Sequence, residues 1–462
     1  MWTRAASWTV ILSCLPLLCA AVPQPSDWVP ARWPWSDAKS LELLADSPVN
    51  CLLLKSYNAD FVDAAAKLGL VTLVVVSPGE DAVAVARKAL GAKVNGIVMD
   101  GDFSDAETTA VKQAAGNSPV IELRARSRLQ LGSQAPVIGT YQGVWPGVAL
   151  MQNIAGPTGS TWIQTNTGFI RAVRAWGAGM LWIANEPPPR TVITRRRYQQ
   201  AVADAAMSGA RWVVAFDSDL AARLHGHVEQ AMGDWNAINE VLRYFEHHPE
   251  WRVMREYGKL VLVQDPAGGG LVSGGILDMI AVKRMPLRVV PRQFLTVEAL
   301  EGASVVVNVD GGVLTAEQER ALREFTRSGG TILNRPSGWR DEGARSNSFT
   351  LDKPSLDRLN DLGDEVNSLI SPGSFGVRLF NASSMLTNAL VSKDGKTIVV
   401  HLVNYSEYPV ENVTLMFPSD HKRVTLIAPE GSRPILDVFQ TPDGSGVGVE
   451  KVNVCAVIKL EQ

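Results

Sequence analysis

From about residue 38 the chain alternates short apolar runs with longer amphipathic stretches. The runs are CLLL at 51–54, VTLVVV at 71–76, GIVMD at 96–100 and PVIEL at 119–123. They continue with PVIGTYQG at 136–143, TWIQTN at 161–166, MLWIAN at 180–185 and RWVVAFD at 211–217. Between most of them lie segments such as NADFVDAAAKLGL and EDAVAVARKALG, apolar at positions three and four apart, which predict helices. TRRRYQQAVADAAMSGA follows the same pattern, with Gly209 as its stop. Apolar runs without clean alternation predict strands buried on both faces, hence a parallel sheet covered by helices. Eight such strands predict a (β/α)8 barrel over residues 22–255. One joint breaks the pattern. Between the fifth and sixth strands, VWPGVALMQNIAGPTGS predicts a loop, and an open doubly wound sheet is the alternative to closure.

The texture resets near residue 256. KLVLVQDPAGGG, PLRVV and ASVVVNVDGGVLTAEQERALREFTRSGGTIL predict a flavodoxin-like α/β unit ending near residue 345. A loop-rich linker over 346–372 follows. Residues 373–462 carry short alternating runs, with a hairpin turn through Asp-Gly in KDGK at 393–396, and predict an antiparallel β-sandwich.

The first 21 residues differ from the rest. MWTR supplies a positive charge, an uncharged apolar stretch runs to Ala21, and small residues precede VPQPSDW. That pattern predicts a secretory signal peptide and export to the periplasm or exterior. Pro16 and the short length disfavour a stable span, and neither Cys14 nor Cys19 has a good lipobox before it for lipoprotein anchoring. The whole chain has a formal net charge of −3, which gives no sign of a nucleic-acid partner. After signal removal only Cys51 and Cys455 remain, each inside an apolar run, so both predict buried small hydrophobes. The histidines show no metal spacing; His225 and His227 fall on different faces of a helix and predict surface positions. The loop GGGLVSGG at 268–275 has Ser273 where a dinucleotide fingerprint needs its third glycine, and it lacks the Lys-Ser/Thr of a Walker loop. No cofactor is called for.

In such a barrel the chemistry lies at the C-terminal strand ends. These ends hold Lys55 and Ser56, Asp100 and Asp102, Arg124, Gln142 and Trp145, Gln164 and Asn166, Asn185 and Glu186, and Asp217 and Asp219. Carboxylates, amides and indoles suit a carbohydrate ligand, because amides and carboxylates pair with hydroxyls and tryptophan stacks on pyranose rings. Glycosidic cleavage needs two carboxyl groups flanking the bond. Glu186 is the leading candidate, with Asp217 or Asp102 as its partner; Asp100, Gln142, Trp145, Gln164, Asn166 and Asn185 are the candidate sugar contacts. The structural alternative is that Asp217 and Asp219 cap the helix that follows them, as Ser104 and Asp105 do earlier.

The order barrel, flavodoxin-like unit, sandwich resembles the family 42 glycoside hydrolases, β-galactosidases with a trimerisation domain in the middle. The segment from ASVVVNVDGG to SGWRDE resembles that middle domain, and also the inactive glutamine-amidotransferase-like modules of secreted glycosidases. Amidotransfer itself is excluded, since no cysteine lies between 51 and 455. Asn185-Glu186-Pro187 resembles the Asn-Glu-Pro of the large clan of retaining barrel glycosidases. In that clan the Asn-Glu pair closes strand 4 and carries the acid/base, whereas strand 7 carries the nucleophile. Counted along the runs, Glu186 closes strand 7, and the fourth run, IELRAR, has no Asn-Glu. The resemblance therefore implies a nucleophile without an acid/base in its usual place. Two functions follow as expectations: an exported glycoside hydrolase-like enzyme, or a carbohydrate-binding scaffold that has lost its catalytic pair. A homo-oligomer formed through the middle unit is a third.

Overall fold

The computed structural model describes residues 23–149, 162–177, 179–264, 286–308, 314–334, 354, 361, 364–366, 368–370, 376–382 and 384–462. Residues 1–22, the glycine-rich loop at 268–275, the SGWRDE segment and most of the 346–372 linker lie outside the described residues. Eight parallel strands form the barrel. They are Pro30–Trp33, Cys51–Leu54, Val71–Val76, Gly96–Asp100, Val120–Arg124, Val137–Thr140, Met180–Ile183, and an eighth made of Arg211–Trp212 and Val214–Ala215. The eighth closes the ring: Arg211 and Trp212 pair with Trp182 and Ile183 of strand 7, while Val214 and Ala215 pair with Ala31 and Arg32 of strand 1.

Two strands differ from the expectation. Strand 1 is PARW, four residues holding a proline and an arginine, too short and mixed to show as an apolar run. CLLL is therefore the second strand, and GIVMD the fourth. The run at 161–166, expected as the sixth strand, is not in the barrel. Its Trp162–Gln164 pairs antiparallel with Gly147–Ala149, because Val137–Thr140 already pairs directly with Met180–Ile183 and leaves no free edge. The two differences offset each other, so Glu186 still follows strand 7.

Side chains alternate along each strand with period two. Cys51, Leu53, Val71, Leu73, Val75, Val98, Ile121, Leu123, Val137, Trp182, Ala184 and Val213 form one apolar cluster that fills the barrel. The intervening Val74, Val76, Ile97 and Met99 pack outward against the helices. Each such side chain taken from water contributes roughly 1.5–3 kcal/mol, so both faces of the sheet are held. Cys51 and Cys455 are buried free thiols.

The middle unit is a four-stranded parallel sheet in the spatial order Leu287–Pro291, Leu260–Gln264, Val305–Asn308, Thr331–Asn334. Its helix Ala316–Arg327 opens on a Thr315–Gln318 capping box. Beyond it, two antiparallel sheets form the sandwich. One comprises Met385–Val391, Thr397–Asn404, Cys455–Glu461, Arg423–Ala428 and Gly431–Ile435, and also recruits Arg255–Glu256. The other holds Arg378–Phe380, Val410–Phe417, Gly444–Val452 and Val438–Thr441. The turn at 393–396 joins the hairpin as expected, with Gly395 at φ +77°, a conformation that suits glycine.

Barrel and sandwich share one apolar core, and a buried polar junction fixes their register. Tyr405 of the sandwich donates its hydroxyl to Asp204 Oδ1 at 2.7 Å. Asp204 Oδ2 accepts from Asn166 Nδ2 at 2.7 Å and from its backbone N–H at 3.0 Å. Asn166 Oδ1 in turn accepts from Arg126 Nη2 at 2.7 Å and from the Val144 backbone at 2.8 Å. The chain thus runs from the sandwich to the loops after strands 5 and 6. Tyr405→Phe is expected to cost about 1–3 kcal/mol, read as a lower denaturant midpoint. Tyr408→Phe, at a side chain 78 % exposed, is expected to change it negligibly.

Candidate active site at the barrel mouth

Strand parity selects the residues that face the barrel mouth. Arg32 on strand 1, Lys55 one step beyond strand 2, Asp100 at the end of strand 4 and Glu186 three residues beyond strand 7 are all in phase with the inward-facing positions. Arg32 is buried, and its Nη1 lies 2.7 Å from Asp100 Oδ2 and 3.3 Å from Glu186 Oε1. Lys55 Nζ approaches the same Glu186 oxygen at 2.7 Å. Both carboxylates touch one nitrogen, so these oxygens are no farther apart than the two contacts laid end to end. That admits the separation of about 5–5.5 Å found for a retaining carboxyl pair.

Glu186 is carried by a rigid segment. Asn185 Nδ2 donates to the Gly143 carbonyl at 2.6 Å, and Gly143 N–H donates to Ala184 O at 2.8 Å. A Cβ at Gly143 would stand 2.7 Å from Ile183 Cγ2, so only glycine permits this approach. Pro187, Pro188 and Pro189 then fix their own φ angles, and Arg190 follows at φ +61°. Burial opposes ionisation of Glu186. The hydrogen bond from Lys55 and the charges of Arg32 and Lys55 outweigh it and hold the carboxyl below its ordinary range.

A cavity of about 340 Å³ opens beside this cluster. Its walls include Trp33, Phe216, Ser56, Ser218 and the three prolines, and Arg32, Lys55, Glu186 and Arg190 supply the charges around it together with Asp217.

The other sequence candidates divide. Asp217 borders the cavity, but its carboxylate is buried and committed. Oδ1 accepts from the Asp219 and Leu220 N–H groups as the N-cap of Ser218–His225, and Oδ2 accepts from Ile193 N and Tyr198 Oη. The capping alternative describes it. Burial, with the adjacent Asp217 carboxylate, pushes the Tyr198 hydroxyl well above its usual range. Asp102 receives hydrogen bonds from Ala125 N–H at 2.9 Å and Tyr141 Oη at 3.1 Å, tying the ends of strands 4, 5 and 6 together. Gln142 Oε1 accepts from Arg126 N–H. Asn166 belongs to the junction with the sandwich. Trp145 packs edge-on against Trp212 and Tyr198, with ring centres 4.9 and 5.4 Å apart, rather than offering a face to a ligand. The Gln164 backbone lies in the hairpin, and its side chain is outside the described residues. Glu122 points away from the barrel interior and pairs with Lys112 and Arg124. Arg32 was invisible without strand 1; once PARW is placed, its parity identifies it. His225 and His227 are exposed, and no cluster of three or more potential metal ligands occurs among the described residues.

A closed parallel barrel followed by a parallel four-stranded sheet and a β-sandwich is a fold found among solved glycosidase structures. Solved structures make the likeness specific. An α-L-fucosidase isoenzyme 2 from Paenibacillus thiaminolyticus aligns over 92 % of this chain and 96 % of its own, at 11 % identity and a TM-score of 0.61. A catalytic mutant of a family 42 β-galactosidase from G. stearothermophilus aligns over 94 % and 98 %, at 8 % identity and a TM-score of 0.55. A cold-adapted β-galactosidase from Rahnella sp. R3 gives the same coverage and identity, with a TM-score of 0.54. Neither a protein-family model nor a curated protein sequence matches the chain. The likeness is one of fold, in the domain order expected from the sequence.

Asp217→Ala removes a helix cap and leaves buried donors unpaired. It is expected to destabilise the protein by about 2 kcal/mol or more, whereas Glu186→Gln at the half-exposed position is expected to shift the thermal midpoint little. Parallel calorimetry of the two variants checks this.

Proposed function

We propose that the chain is a glycoside hydrolase-like protein that binds a carbohydrate at the barrel mouth and cleaves a glycosidic bond with Glu186 as nucleophile and Asp100 as the opposing carboxyl. The observation that carries this reading is the convergence of a strand-7 and a strand-4 carboxylate on Arg32 Nη1. Asp100 closes strand 4, where the retaining clan that the sequence resembles keeps its acid/base. In this reading Glu186 attacks the anomeric carbon and forms a glycosyl ester while Asp100 delivers a proton to the departing oxygen. Asp100 then takes a proton from the water that opens the ester. Arg32 orients both groups, and Asp217 and Asp102 act by positioning the loops around them.

One observation favours the second reading, carbohydrate binding without turnover. A general acid must carry a proton, and Asp100 Oδ2 makes a 2.7 Å charge-assisted contact with a buried guanidinium. A panel of aryl glycosides and polysaccharides separates the two. Turnover is expected to fall on the order of 10³-fold or more in Glu186→Gln and roughly 10²–10⁴-fold in Asp100→Asn. Binding with no turnover, unaltered by either substitution, removes the enzyme reading.

The depressed pKa of Glu186 fixes the direction of the pH dependence. Its ion pairs stabilise the fold above the ordinary value of 4.5, and this contribution is lost as pH falls through the lower folded-state value. The acid limb of kcat/KM is accordingly expected below pH 4.5, and Lys55→Met is expected to move it upward.

Export is part of the proposal and rests on residues 1–21 alone. N-terminal sequencing of the protein recovered outside the cytoplasm is expected to begin near Val22; an intact Met1 start overturns it. No helix among the described residues is long and apolar enough to cross a membrane.

A further inference from the structure

The charged groups around the cavity are equal in number but not equally committed. Asp217 lies on the wall, but four protein donors hold its oxygens. Three cations, Arg32, Lys55 and Arg190, stand near the other two carboxylates, Asp100 and Glu186. Arg32 contacts both carboxylates and Lys55 contacts Glu186, whereas Arg190 has no ion pair among the described residues. Arg190 is exposed, but its backbone is set. It follows three prolines, has φ +61°, and the next residue's N–H donates to Pro188 O at 3.1 Å. The remaining polar wall groups, Ser56 and Ser218, are hydroxyls. The free capacity of the cavity is therefore donor-rich, and its one cation without an ion pair among the described residues is Arg190. Lysine and arginine offer hydrogen-bond donors and no acceptor, which suits a group that only accepts.

We propose that the sugar accepted by this cavity bears an anionic substituent, a carboxylate or a sulfate ester, held by Lys55 and Arg190. The proposal rests on the reading of the cavity as a carbohydrate site. It also accounts for the two cations on Glu186. A carboxylate nucleophile repels an anionic sugar, and Arg32 and Lys55 offset that repulsion. Once Glu186 is esterified its charge is gone, and the cations that faced it are free to hold the anion of the bound sugar.

Isothermal titration of the full chain with galactose, galacturonate and galactose 6-sulfate, and with glucose, glucuronate and glucose 6-sulfate, tests the proposal. At least one acidic sugar is expected to bind about tenfold or more tightly than its neutral parent, with the advantage shrinking at 0.5 M salt because Arg190 is exposed. Which acid wins distinguishes carboxylate from sulfate. Arg190→Gln is expected to abolish the advantage and Arg190→Lys to keep it. Neutral sugars binding as tightly as acidic ones, or an advantage indifferent to Arg190→Gln, overturns the proposal. Turnover measured on the matching aryl glycosides keeps the two readings apart. Hydrolysis without acidic preference removes this inference and leaves the enzyme. Arg190-dependent binding without hydrolysis does the reverse, and neither binding nor hydrolysis removes both.

Discussion

A guanidinium can be held inside a protein only where its charge is met, and Arg32 is the place where this chain satisfies that condition. The apolar barrel interior ends one layer below it, so the charge has few partners within reach. Asp100 and Glu186 supply them from strands 4 and 7, which are not neighbours of strand 1 in the sheet. The contact therefore spans the barrel instead of running along it, and it needs the ring to be closed. Closure depends in turn on strand 8, whose two halves serve different neighbours. Removing Asp100 leaves the buried Arg32 with unmatched charge, at a cost of about 3–5 kcal/mol for a buried pair, whereas the half-exposed Glu186 is replaced at little cost. Stability and candidate chemistry thus share the same atoms.

The supporting structure follows a similar economy. Asp217, Asp102, Asn166 and Gln142 are polar groups at strand ends, as the sequence suggested, but each accepts hydrogen bonds from neighbouring loops. They hold the mouth open in one shape. A buried acceptor with its donors in place is rigid, because moving any one of them exposes the others to an unpaired state.

Much of this was legible from the residues. Near-continuous apolar runs identified seven of the barrel strands, since burial on both faces leaves a signature that needs no neighbour to interpret. The strand PARW left none, because four residues with a proline and an arginine do not differ from a loop until their partners are known. TWIQTN erred the other way: its composition suits any sheet, and only the direct pairing of strands 6 and 7 excludes it from this one. The consequence for the site was specific. With strand 1 absent from the count, Asp100 falls on the third run, and the fourth run, IELRAR, offers no Asn-Glu pair. Glu186 kept its place because the two errors cancelled. Which aspartates were caps and which faced the cavity was not legible, because an N-cap and a catalytic acid occupy the same turn at the end of a strand.

The junction through Tyr405, Asp204 and Asn166 bears on the order in which the protein takes shape during synthesis. The loops after strands 5 and 6 are completed by a hydroxyl more than 200 positions further along the chain. That hydroxyl directly follows the strand Thr397–Asn404, which is itself flanked by the final strand, Cys455–Glu461. The barrel mouth can therefore settle only after the sandwich strands that carry Tyr405 have left the ribosome. Until then the barrel has its apolar interior but lacks its finished rim.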